Sequence, residues 1–148
     1  MKKLCLVLTG ILFFGVLSLY AQTGQTRYNS YDPEIRYNGK DYTFFAWQEK
    51  RYTIKKQYIV TGDSWVHAQA RVWLYGESRW TNWDKLGDPV PVPIGYNTYS
   101  LQQEILNLPN YQLDSSGALL RNTNANNEKE VWSDGNYIYI LTYVYKPK

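Results

Sequence analysis

The clearest pattern along this chain is strict alternation, and the run that shows it best is 65–75, Trp-Val-His-Ala-Gln-Ala-Arg-Val-Trp-Leu-Tyr. Its even positions, Val66, Ala68, Ala70, Val72 and Leu74, are small and aliphatic. Its odd positions, Trp65, His67, Gln69, Arg71, Trp73 and Tyr75, carry rings and hydrogen-bonding groups. Side chains of a strand point alternately to opposite faces of its sheet, so one strand here would build two unlike surfaces. The stretch 136–145 repeats the design. Tyr137, Tyr139, Leu141, Tyr143 and Tyr145 share one parity, and Ile138, Ile140, Thr142 and Val144 the other.

Around these two runs the β signal is steady from residue 41 onward. Strands are expected at 42–47, 52–60, 65–75 and 79–83. The polar segments Gln48-Glu49-Lys50-Arg51, Thr61-Gly62-Asp63-Ser64 and Gly76-Glu77-Ser78 separate them. Short turn-rich gaps between β-rich runs predict an antiparallel meander of four strands. Pro89, Pro91 and Pro93 favour an extended crossing that cannot be a central strand. Leu101, Ile105 and Leu108 then repeat at helical spacing behind Ser100 and Gln103, which resemble a capping box. One short helix is expected near residues 100–108, ended by Pro109. Asp114-Ser115-Ser116-Gly117 marks a further hairpin, and the Asn-rich stretch 122–130 lacks periodicity and reads as a mobile loop. The expected fold is mainly β: a single antiparallel β-sheet domain, as a curved sheet or a sandwich, with one short helix.

The first residues read differently. Lys2 and Lys3, an apolar run over 4–19 and the small residue Ala21 describe a secretory signal peptide over 1–21. That run is short of the roughly 20 apolar residues a membrane span needs. The expected organisation is therefore a leader at 1–21, an extended arm at 22–40 with a short strand near Ile35, and a β-rich domain at 41–148. A membrane barrel fits poorly, because only two segments reach the roughly ten residues such strands require. The expectation is a secreted or periplasmic protein without membrane insertion after cleavage.

Composition narrows the chemistry. Cys5 is the only cysteine and leaves with the leader, so a mature chain of 127 residues has neither disulfides nor thiolate chemistry. Loss of Lys2 and Lys3 takes the basic count from 16 to 14 against 13 acidic side chains, a balance that points to no nucleic-acid partner. His67 is the only histidine, no calcium-loop spacing of carboxylates occurs, and no phosphate-cradling glycine pattern is present. No metal or other cofactor is expected. Catalysis finds little support. Ser64 and His67 would face opposite sides of a strand, and Asp63, Glu77 and Asp84 read as hairpin-end residues.

What stands out is aromatic content: 15 Tyr and 6 Trp against 4 Phe. Tyr and Trp join an apolar body to a polar handle and suit half-wet surfaces. The odd face of Trp65, His67, Gln69, Arg71, Trp73 and Tyr75, extended by Trp80 or Trp83 and by the odd-numbered Tyr of 136–145, is the candidate ligand-binding surface. Rings can stack on sugar faces while Arg, Gln and His supply directional hydrogen bonds. The competing reading has the helix and the proline segment cover this face as a second core. The expected function is an exported non-enzymatic binding module for a carbohydrate or another cell-surface component. A protein-interaction or assembly subunit of adhesin or inhibitor type is the alternative, and a small hydrolase a distant third.

Overall fold

The computed structural model describes residues 31–56, 64–74 and 76–148. The expected leader over 1–21, the first part of the arm, the end of the second expected strand and Tyr75 lie outside the described residues. The elements in chain order are β1 (Glu34–Tyr37), β2 (Lys40–Lys56), β3 (Ser64–Leu74), β4 (Arg79–Trp80), β5 (Asp84–Lys85), β6 (Val90–Val92), α1 (Thr98–Leu106), β7 (Tyr111–Leu113), β8 (Leu119–Arg121), β9 (Val131–Ser133) and β10 (Ile138–Pro147). Over the described residues the protein is mainly β, with one short helix and a single antiparallel sheet. β2 is its spine. β10 runs along one edge of β2, while β1 and β3 share the other edge end to end. Outside β3 lie β4, β5 and β6; outside β10 lie β8 and β9, and β7 closes the sheet beyond β8.

β2 corrects one expectation. The polar segment Gln48-Glu49-Lys50-Arg51 is not a turn but the middle of a strand of 17 residues. It holds no Gly, Pro, Asn or Asp, the residues that relieve the backbone strain of a tight turn. Its side chains also have places to go on the sheet. Glu49 takes the guanidinium of Arg71, and Arg51 donates to Gln69. One irregularity follows: the register between β10 and β2 shifts at Val144/Tyr145, so Tyr145 pairs with Phe44 while Val144 pairs with Ala46. Phe45 is left as the extra residue of a bulge and is exposed, with Lys146 Nζ over its ring at 4.7 Å.

The meander through β2, β3 and β4 is present, although β4 has only two residues and β5 follows separately. The proline segment pairs with β3 only from outside, as β6, with Pro91 opposite Trp65. An edge position tolerates the missing N–H.

Helix α1 packs on the even-numbered, aliphatic face of the sheet. Leu101 and Ile105 are buried against Ile138 and Ile140, and Tyr52, Ile54, Val66, Tyr96, Leu108 and Val131 pack around them. An aliphatic stripe finds its best match there, where no guanidinium or carboxylate must be dehydrated. The helix therefore does not cover the ring-bearing face. Its N-cap is Asn97, which accepts from the Ser100 backbone N–H at 3.0 Å, three residues upstream of the expected cap at Ser100.

The ring-bearing face is closed at its other end by residues 31–33, which belong to the segment expected as an extended arm. Tyr31 stacks on Phe44 with centroids 4.0 Å apart, Asp32 Oδ2 accepts from Arg121 Nη1 at 2.6 Å, and the Asp32 carbonyl accepts from the Tyr145 hydroxyl at 2.7 Å. Tyr143 and Tyr145 are buried beneath, and the Tyr143 hydroxyl donates to Glu130 Oε2. The Asn-rich stretch also differs from expectation. Asn122 and Thr123 are fully buried; Asn122 Nδ2 donates to the Pro109 carbonyl and to Gln112 Oε1, and its Oδ1 accepts from Thr142. A carboxamide both donates and accepts, so asparagine can stitch irregular backbone into a core.

Candidate functional site

Pairing between β2 and β3 puts Lys55 opposite Trp65, Thr53 opposite His67, Arg51 opposite Gln69 and Glu49 opposite Arg71. β10 adds Tyr139 beside Arg51 and Leu141 beside Glu49; β4 adds Trp80 beside Trp73, and β5 adds Lys85 beside Gln69. Paired residues share a face. Trp65, His67, Gln69, Arg71 and Trp73 therefore lie together on one surface, all half-buried. Tyr75, the sixth residue expected there, lies outside the described residues.

This surface has two halves of different character. Toward the C-terminal end of β3 the side chains are committed to one another. The Arg51 guanidinium carbon lies 4.4 Å from the Tyr137 ring centroid and 4.2 Å from that of Trp83. Arg71 lies 4.6 Å from Trp83 and 4.5 Å from Trp80, and Trp80 meets Trp73 edge-on at 5.5 Å. Tyr137, Arg51, Trp83, Arg71, Trp80 and Trp73 thus form a continuous ladder of rings and cations. Each guanidinium is also anchored in the sheet. Arg51 Nε donates to Gln69 Oε1 at 2.6 Å; Arg71 Nε and Nη2 donate to Glu49 Oε1 at 2.8 and 2.7 Å. The Glu49 side chain is only 3% exposed, which makes the Arg71 contact one between a buried carboxylate and its counter-ion.

Beside the ladder, Trp132 stacks on Tyr139 with nearly parallel planes and ring centroids 5.3 Å apart. The Tyr139 hydroxyl donates to Asp134 Oδ2 at 2.6 Å. Burial, followed by the hydrogen bond and charge of Asp134, pushes the Tyr139 hydroxyl up to about 12. For Asp134, burial alone would raise the carboxyl, but hydrogen bonds from Tyr139 and from the Tyr137 and Asn136 backbone outweigh it and hold the carboxyl below its usual value. At physiological pH this corner is a fixed ionised acceptor with a neutral phenol.

Toward the N-terminal end of β3 the surface is open. Two adjoining hollows share Lys55, His67 and Pro89. One, of about 210 Å³, lies over Thr53, His67, Gln69 and Lys85, with Tyr137 at its side. The other, of about 490 Å³, lies against Trp65, Lys56 and Asp88. Among the described residues no other ring and no guanidinium stacks on Trp65, and its indole Nε1–H is buried without a hydrogen-bond partner. The structure therefore separates the candidate residues. Trp65 and His67 line the hollows, Gln69 serves both halves, and Arg71 and Trp73 belong to the ladder.

Arg51, Thr53, Lys55, Lys85, Pro89 and Tyr137 also border this surface, and of these only Tyr137, among the odd-numbered Tyr of 136–145, was anticipated. The first three fall in or just after the segment mistaken for a turn. Their signal was present, because Glu49, Arg51, Thr53 and Lys55 are polar while Tyr52 and Ile54 between them are apolar.

Ser64 and His67 fall on opposite faces of β3, Glu77 is engaged by Arg79 at 2.7 Å, and Asp84 sits opposite Ala70 on the other face. Asp63 lies outside the described residues. Among the described residues, no three side chains of His, Cys, Asp or Glu come together as metal ligands would. Compared with protein-family models, with curated proteins and with solved structures, the chain matches none.

Proposed function

We propose that this is an exported, non-enzymatic binding module that recognises a saccharide or saccharide-bearing cell-surface component at the Trp65–His67 end of its ring-bearing sheet face. One observation carries the reading: that face divides into a self-stacked ladder and an open hollow where the Trp65 ring adjoins hydrogen-bonding side chains. A sugar needs an apolar ring face to lie on and directional polar groups at its rim. Trp65 supplies the first; His67, Gln69 and Thr53 supply the second. The ladder holds β2, β3 and the 80–85 segment in register, and a site built on rigid strands loses little entropy when it binds. The leader-like residues 1–21 support export to the periplasm or beyond. The bulge at Phe45 supports a curved sheet rather than a doubled one, since bulges sharpen strand twist.

Titrating tryptophan fluorescence with a panel of oligosaccharides tests the reading. A saturable change that disappears in Trp65→Ala is the expected result; no change with any glycan class would overturn it. A second reading, a protein-interaction subunit, is favoured by the exposure of Val90, Ile94 and Tyr99 around the start of α1. Large apolar side chains grouped at a surface often mark protein contacts. A stable oligomer in sedimentation that Ile94→Asp dissociates would support it.

A further inference from the structure

The hollow at the Trp65 end is not electrically neutral. On the sheet, Lys55 of β2, His67 of β3 and Lys85 of β5 lie on one diagonal across three adjacent strands. Thr53 is opposite His67, Lys55 opposite Trp65, and Lys85 opposite Gln69. Diagonal neighbours of this kind are about 7–8 Å apart at Cα, within reach of long side chains. Lys56 borders the wider hollow. Among the described residues one carboxylate stands against these groups, Asp88, whose contact with Lys85 is a long 3.4 Å between side chains 70% and 92% exposed. Among the described residues no carboxylate pairs with Lys55, while elsewhere on the chain Arg36, Arg71, Arg79, Arg121 and Lys148 are each ion-paired. The wider hollow falls within the roughly 300–1,000 Å³ usual for small-molecule sites.

From this juxtaposition we infer that the hollow takes an anionic sugar, with its carboxylate or sulfate held between Lys55 and Lys85 over His67, and its ring against Trp65. The inference rests on the saccharide reading above and adds the charge of the ligand to it. A neutral glycan would leave the two ammonium groups competing for water, whereas an oxyanion on the sugar converts them into charge-assisted donors. Asp88 works against such a ligand, because it draws on Lys85 and repels the incoming anion.

The test is isothermal titration of the full chain, at low salt, with four probes. These are a uronic-acid oligosaccharide, a sulfated oligosaccharide of equal length, a neutral oligosaccharide of equal length, and inorganic sulfate. At least one acidic oligosaccharide is expected to bind about tenfold more tightly than the neutral one. Which acidic probe binds better separates carboxylate from sulfate as the source of the charge. The preference should shrink between about 0.01 M and about 0.15 M salt, as the screening length falls from ~30 to ~8 Å. Lys55→Gln with Lys85→Gln, both at exposed positions, should abolish the preference. Asp88→Asn should strengthen acidic binding about threefold, a gain that misfolding cannot mimic. Equal affinity for acidic and neutral oligosaccharides would overturn the inference while leaving the saccharide reading intact. Sulfate ion binding as tightly as the sulfated sugar would overturn the role of the sugar ring. Binding of no oligosaccharide at all would overturn both.

Discussion

Lys50 offers the sharpest quantitative test of how the sheet is built. It lies in the middle of β2 on the even-numbered face, beside Ala70 of β3 and Ile140 of β10, and is 6% exposed. Among the described residues no carboxylate lies within ion-pairing distance of it. Burial alone lowers its ammonium from an ordinary 10.5 to about 8. A drop of that size, at about 1.36 kcal/mol per pH unit, corresponds to roughly 3 kcal/mol between the charged and neutral forms. The sign follows from linkage. Between pH 8 and 10.5 the unfolded chain holds a proton on Lys50 that the folded chain has released, so stability rises with pH across that window. It is lost again as pH falls through about 8.

Lys50→Met should therefore stabilise the domain at pH 7 by about 1–3 kcal/mol, or about 5–10 °C in Tm. The variant keeps an unbranched apolar stem and removes the charge. That advantage should shrink steadily as pH rises from about 8 to about 10. Urea unfolding followed by far-UV circular dichroism at intervals from pH 7 to 10 reads both effects. Taking the difference between wild type and variant cancels the other groups. Lys129, lowered by burial, acts with the same sign in both proteins. Burial raises Tyr52 to about 12; Tyr139 reaches about 12 through burial and Asp134, and both destabilise only above pH 10. A difference that is flat with pH, or a Lys50→Met that is less stable at pH 7, would refute the claim that this amine is buried without a counter-ion.

Five other substitutions probe three separate parts of the structure, each checked by denaturant unfolding. Trp83→Ala removes the ring shared by Arg51 and Arg71, two contacts of about 0.5–1 kcal/mol each, together with partial burial of the indole. A loss of about 2–3 kcal/mol is expected, and less than about 0.5 would mean that the ladder does not stabilise the sheet. Leu101→Ala should cost about 2–4 kcal/mol, whereas Tyr99→Ala on the exposed side of the same helix should cost under about 0.5. Asn97→Ala should cost about 1 kcal/mol by removing the acceptor for the Ser100 N–H, and Ser100→Ala should cost less.

How much was legible beforehand depended on whether a feature is local. The two long alternating runs became β3 and most of β10, because period-two patterning is imposed by the strand itself. The hairpin at residues 114–117 also came out as read. Asp114 Oδ1 accepts from the backbone N–H groups of Ser116 and Ala118, and Gly117 adopts a φ of 88° that only glycine takes without strain. Residues 48–51 form strand although four consecutive polar residues predict a turn. Polarity shows only that a side chain needs a partner, and here the partners stand on the neighbouring strand. Which face α1 covers was beyond local patterning, because both faces carry apolar groups and only the pairing decides which aliphatic surface is wide enough. The ladder was invisible for the same reason. Arg51, Arg71 and Trp83 come from three separate segments, and their contact depends on register. Even so, Trp65, His67, Gln69, Arg71 and Trp73 do share one face, as their parity requires.

Where a ligand touches that face distinguishes the open hollow from the ladder. The chain has six tryptophans, and their indole N–H signals can be followed together by NMR during titration with an acidic oligosaccharide. The Trp65 signal is expected to move most, as its unpartnered Nε1–H responds to the occupied hollow. Those of Trp73 and Trp80, locked edge-on in the ladder, should stay in place. Movement of Trp73 and Trp80 with Trp65 unmoved, or saturable binding that leaves all six indoles where they were, would contradict binding at the open hollow.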